Sequence, residues 1–135
     1  MKTYRVKADN KLIEKMITPI VSFLEKIAVD HKKIYQINLV LEEILVNICN
    51  YAYLTEDGEI DISFDVEENP KKLRIVIKDS GISFNPLEKE DPDLHLPSKD
   101  RQIGGLGIFL IKNMVDNIKY QRINNQNILE FIKYL

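Results

Sequence analysis

Two hydrophobic periods share this chain, and their order limits what it can fold into. Leu12, Ile13, Met16, Ile20, Phe23, Leu24 and Ile27 recur at three- and four-residue intervals, which puts apolar side chains on one helix face. Ile60, Ile62, Phe64 and Val66 then alternate with polar residues, and Leu73, Ile75 and Ile77 continue the alternation up to Asp79. Alternation marks strands buried on one face only. Such a sheet must be covered, and the helical segments supply the cover. The expected fold class is therefore α+β: a two-layer α/β sandwich with helices against a mostly antiparallel mixed sheet.

The expected order is strand, two helices, two strands, a lid, a helix and two strands. Thr3 to Ala8 suits an edge strand, and Asp9 or Asn10 can cap the first helix. Pro19 is expected to interrupt and kink that helix. The second helix runs from about Lys32 to Tyr53 and the third from about Gly105 to Asp116. Asp57-Gly58 and Asn69-Pro70 are turn signals, and Ile118–Ile123 with Ile128–Tyr134 suit a hairpin around Asn124-Asn125.

The 135 residues suit one domain, 1–135, and contain no repeat or dividing linker. A net charge of -2 gives no broad field for nucleic acid or an anionic membrane, so an anionic ligand needs local donors. Cys49, the single cysteine, excludes an internal disulfide and suits a buried, inert thiol. No apolar run approaches the ~20 residues of a membrane span, and the first residues lack a signal-peptide pattern. A cytoplasmic setting is the expectation. His31 and His95 lack ligand-spaced partners and suit the surface, and Lys71-Lys72 suits a solvated turn.

Taking ~100° per residue, Ile37, Val40, Leu41, Ile44, Leu45, Ile48 and Ala52 form one stripe on the second helix. Glu43 and Asn47 lie on one flank of it with Tyr51 continuing the row, while Glu42 falls on the opposite flank. A carboxylate at the core border can act as a general base, and an amide oxygen one turn on is a hard ligand suited to Mg²⁺. The same pair, taken alone, also suits a solvated polar face.

Asp79 closes a strand, and a carboxylate there can accept from a purine exocyclic amine. Gly81 is expected to allow a turn with positive φ and close approach of a ligand ring. An ordinary Asp-x-Gly turn is the plainer alternative. Gly104-Gly105-Leu106-Gly107 precedes an apolar helical run, leaving backbone N–H groups open to phosphate oxygens. It is neither a Walker loop nor a dinucleotide fingerprint, and a hinge before a core helix also fits. Lys99 and Arg101 in the lid could reach a terminal phosphate, or simply be solvated.

The three segments in this order are more specific than any one. Glu43-x-x-x-Asn47 resembles the N box of the GHKL ATPases (gyrase, histidine kinases, MutL), Asp79-x-Gly81 their first glycine box and Gly105-x-Gly107 their second. Asn47-Ile48-Cys49-Asn50-Tyr51-Ala52-Tyr53, Asp79-x-Gly81-x-x-Phe84-x-Pro86 and Gly104–Ile111 most resemble the anti-sigma-factor serine kinases. That resemblance implies a Bergerat fold binding Mg²⁺-ATP, with Asn47 holding the metal, Glu43 as base and Asp79 on the adenine amine. It also counts Tyr51, Gly81, Phe84, Gly104, Gly105, Leu106 and Gly107 among the nucleotide-binding residues, with Lys99 and Arg101 from the lid. It implies phosphorylation of a STAS-type anti-sigma-factor antagonist, competition with a sigma factor, and a homodimer.

The chain departs from the pattern in places. Tyr51 replaces the usual histidine, Asn127-Ile128 stands where a Gly-Thr pair is expected, and Arg101 lies farther from the glycine box. Two alternatives stay open: a module that binds ATP and sequesters a partner without phosphotransfer, and a stand-alone histidine-kinase-type ATPase domain. No upstream helical pair with a phosphoacceptor His-Glu favours the latter.

Overall fold

A computed structural model describes residues 1–53, 58–88 and 105–135. The strands are β1 (Lys2–Lys7), β2 (Glu59–Glu67), β3 (Lys72–Asp79), β4 (Asn117–Ile123) and β5 (Gln126–Tyr134). The helices are α1 (Ile13–Lys26), α2 (His31–Asn47) and α3 (Gly105–Met114). The sheet order is β1-β2-β3-β5-β4, and every pairing among the described residues is antiparallel. The last strand in sequence is thus inserted between β3 and β4.

The alternation read in the sequence sets the layers. Ile60, Ile62 and Phe64 of β2, Leu73, Ile75 and Ile77 of β3, and Leu129 and Phe131 of β5 are buried on the inner face. Met16, Ile20 and Leu24 of α1 and the α2 stripe from Ile37 to Ala52 close over them. The outer face is polar: Arg74 bridges Glu67 and Glu130, and Arg5 pairs with Asp61. At ~25 cal/mol per Å² of apolar area, the inner face dominates stability, whereas exposed ion pairs add little. The β4–β5 hairpin turns at Asn124 and Asn125, with φ of 52° and 62°, the left-handed pair that asparagine tolerates best.

Three expectations need correction. Pro19 does not interrupt α1, which runs through it from Ile13 to Lys26. Its missing N–H costs one helix bond, but burial of Met16, Ile17 and Ile20 on both sides holds the helix together. The second helix is not α-helical to Tyr53: the α-form ends at Asn47, and Ile48–Ala52 widens into a π-helical turn. There the Tyr53 N–H reaches five residues back to the Ile48 carbonyl at 3.3 Å. The wider turn lets Ile48, Cys49 and Ala52 all face the core. Gly81, finally, does not adopt a positive φ; what it needs is space.

That space lies where β3 meets the π-turn. The Ile82 N–H donates to the Ala52 carbonyl at 3.0 Å, and a Cβ on Gly81 would stand 2.4 Å from that carbonyl oxygen. Backbone cannot swing aside as a side-chain tip can. Gly81→Ala is therefore expected to lower stability by about 1–3 kcal/mol, the usual range for overpacking. A lowered urea midpoint checks this, and an unchanged midpoint refutes the packing argument.

Candidate functional site

Asp79, Asn127 and Asn47 are the buried polar residues among those described. Two of them are register partners: Asp79 closes β3 opposite Asn127 of β5, which pairs in turn with Arg122 of β4. Asp79 Oδ1 accepts from the Gly81 N–H at 3.0 Å and from Asn127 Nδ2 at 2.8 Å. Among the described residues its other oxygen takes no hydrogen bond. Burial pushes the Asp79 carboxyl above the usual carboxylate range, while the Asn127 and Gly81 donors and the Arg122 charge pull the other way. Arg122 also donates to the Gly81 carbonyl at 2.8 Å, pinning the turn after Asp79.

Asn47 reaches the same place from α2. A small cavity of about 20 Å³ is lined by Asn47, Ile44, Asp79, Phe84, Tyr120 and Asn127, among others. This volume suits a water and is too small for a purine, so a base could enter only with displacement of a wall. Glu43 lies one turn earlier and lines a neighbouring cavity of about 100 Å³ with Val40, Gly107 and Ile111. A Cβ on Gly107 would stand 2.1 Å from Glu43 Oε1, so the first turn of α3 packs directly on this carboxylate. Glu42 points away, into a groove of about 920 Å³ between α1 and α2. That groove is the larger hollow, yet it contains neither Glu43, Asn47, Asp79 nor a glycine-box residue.

Two tyrosines frame the site. Tyr51, in the π-turn, stacks on Phe84, with centroids 5.3 Å apart and planes at 24°. Tyr53 bolts three elements together: its hydroxyl accepts from the Ser80 N–H at 2.7 Å and donates to the Glu59 carbonyl at 2.9 Å. A Cβ on Gly58 would collide with the Tyr53 ring. Cys49 is buried, and burial pushes its thiol up, away from the reactive form.

Asn47, Asp79 and Phe84 thus share one cavity, with the Gly81 N–H on the Asp79 carboxylate, while Glu43 and Gly107 share a second cavity, with Gly105 and Leu106 in the first turn of α3. Lys99, Arg101, Gly104, His95, Asp57 and the lid from residue 89 on lie outside the described residues. Reading the sequence left Asn127, Tyr120 and Tyr53 out of the site. The signal for Asn127 was available: in β5 the inward positions are Asn127, Leu129 and Phe131, and a polar residue there marks a break in the core pattern.

The family model of the histidine kinase-like ATPase domain matches residues 6–133. The chain belongs to this family. Its fold is the ATP-binding fold related to those of anti-sigma-factor and histidine kinases. A curated relative, the serine-protein kinase RsbW of Bacillus thuringiensis, is 31% identical over 111 residues, covering 76% of this chain and 64% of the relative. The RsbW of Bacillus mycoides is 31% identical over 106 residues, covering 72% of this chain and 61% of the relative. The chain thus spans somewhat less than two thirds of these relatives. The solved RsbU and RsbW domains of a Mycobacterium tuberculosis protein superpose with a TM-score of 0.64 at 12% identity, covering 100% of this chain and 33% of that one. A histidine kinase domain of a blue-light activated protein from Erythrobacter litoralis gives 0.59 at 16% identity, covering 91% of this chain and 61% of that one. Among the described residues, no helix is long and apolar enough to cross a membrane.

A stability test follows from the buried carboxylate. The native state holds the Asp79 proton more tightly than the unfolded chain does. Stability is therefore lost as pH rises from the unfolded value near ~3.9 through the raised native value. Asp79→Asn keeps an oxygen for both N–H donors and removes the charge. The variant is expected to show a higher urea midpoint than the wild type at pH 7, with the gap narrowing towards pH ~4. An equal or lower midpoint at pH 7 contradicts this reading.

Proposed function

We propose that this chain binds Mg²⁺-ATP and transfers its γ-phosphoryl group to a serine or threonine hydroxyl of a STAS-type anti-sigma-factor antagonist. The carrying observation is the convergence of Asn47 and Asp79 on one cavity, with Glu43 held one turn away against Gly107. The donor set suits the ligand. Asp79 offers a carboxylate oxygen to the adenine amine, and Asn47 offers a hard oxygen to Mg²⁺. The first turn of α3, starting at Gly105, offers backbone N–H groups to phosphate. Bound Mg²⁺ would supply charge neutralisation on the transferred group.

Glu43 serves as the base that takes the hydroxyl proton. It is half-buried, and its carboxylate is hemmed by Gly107, which limits the directions in which it can turn. The serine-protein kinases among the curated relatives support this reading of the reaction. Competition between the antagonist and a sigma factor, a homodimer and a cytoplasmic setting belong to the same proposal.

The test offers the purified protein γ-labelled ATP, Mg²⁺ and candidate STAS proteins. Label is expected on a partner serine or threonine, reduced about 10²–10⁴-fold in Glu43→Gln, the usual range for a lost general base. Gly107→Ala is expected to act on the same step. Its Cβ meets the flexible end of Glu43, so the carboxylate shifts while the fold keeps a near-wild-type urea midpoint. Tight ATP binding with no label on any partner favours the alternative, a module that sequesters its partner in an ATP-dependent way.

A further inference from the structure

Asn127 spends its whole hydrogen-bonding capacity around Asp79. Its Nδ2 donates to Asp79 Oδ1 and to the Ile82 carbonyl, both at 2.8 Å. Its Oδ1 accepts from the Phe84 N–H at 3.3 Å and from the Tyr120 hydroxyl. That hydroxyl also lies 3.5 Å from Ser83 Oγ. Two donors on one side and two acceptors on the other leave the amide one orientation. Flipped, it would set its oxygen against a carboxylate and a carbonyl, and its NH₂ against an N–H. At a residue only 4% exposed, neither mismatch could be relieved by water.

We propose that Asn127, oriented by Tyr120, is a positioning residue that holds Asp79 by Oδ1 and leaves Oδ2 as the oxygen that meets the base. It thereby makes the site selective for a purine with an exocyclic amine over one with an oxo group at the same place. This rests on the reading of Asp79 as the base acceptor. The discrimination follows from lone pairs. An anchored, ionised Oδ2 accepts from an amine and repels an oxo oxygen. Without the Asn127 donor, Oδ1 loses one of its two hydrogen bonds, and the carboxyl turns and takes a proton more readily. A protonated carboxyl can donate to the oxo group, so selectivity falls.

Burial raises the Asp79 carboxyl, and the same tether works against that rise in the absence of nucleotide. Among the described residues, the other titratable groups facing it are Arg122 and Tyr120 on β4 and Tyr53 beyond the π-turn. Arg122 is held by its contact with the Gly81 carbonyl and makes no hydrogen bond to the Asn127 side chain among the described residues.

Asn127→Val and Asn127→Thr have nearly the same shape and differ in one hydroxyl that can donate across the strand pair. Mg²⁺-ATP and Mg²⁺-ITP affinities are measured by calorimetry for both, for Tyr120→Phe and for Asp79→Asn. The ATP-to-ITP preference is expected to fall about tenfold in Asn127→Val and about threefold in Tyr120→Phe, and to be largely kept in Asn127→Thr. An NMR titration of the Asp79 carboxyl without ligand should move upward by roughly a full pH unit in Asn127→Val. Equal weakening of both nucleotides, or an unchanged preference together with an unchanged titration, overturns the proposal. If Asn127→Val does not fold, the preference and titration of Tyr120→Phe decide in the same way. An ATP affinity unaltered in Asp79→Asn instead overturns the base-acceptor reading and the selectivity with it. The nucleotide-free titration still reports whether Asn127 holds the carboxylate.

Discussion

The burial of the α2 stripe against the inner face of the sheet is the interaction on which the remainder depends. Ile37, Val40, Leu41, Ile44, Leu45 and Ile48 are all buried. With these side chains locked, the rotation of the helix is fixed, and so are the directions of its polar residues. Glu43 and Glu42 are adjacent, yet one lies against α3 and the other opens onto the α1 groove. A helix free to roll could not keep them apart. The hydrophobic effect has no direction of its own, but it aims the carboxylate to which the proposed chemistry assigns the role of base.

The alternation of β2 and β3 and the helical stripe made the layers legible in the sequence. So were the unlike environments of the two glutamates, because ~100° per residue separates them whatever surrounds the helix. What was not legible depends on distant partners. The widening after Asn47 answers to the burial of Ile48, Cys49 and Ala52 together, which a single-period reading cannot contain. Gly81 answers to the Ala52 carbonyl rather than to its own torsion angle. Asn127 was legible as a polar break in the inward row of β5, but its place beside Asp79 depends on β5 slotting between β3 and β4, an order that strand periodicity does not encode.

The site also runs against the core that supports it. Asp79, Asn127 and Asn47 occupy positions where an apolar residue would pack more favourably, and burial works against the Asp79 charge. The Asp79–Asn127 hydrogen bond and the Gly81 N–H contain that cost at Asp79. A folded protein holding a destabilising group in a fixed orientation is the familiar exchange between stability and activity.

The late strand has a consequence for how the site comes into being. Asp79 and Asn127 are 48 residues apart, and the row they form is completed by Arg122 on a third strand. No local segment of the chain can assemble it. The pocket exists only once the C-terminal hairpin has docked and closed the long loop, among the slower events in building a sheet. A ligand held by this row would therefore recognise the finished sheet and no partly built version of it. Occupancy would act as a brace on the whole fold rather than on a loop, coupling the cell's nucleotide supply to how long the protein stays folded.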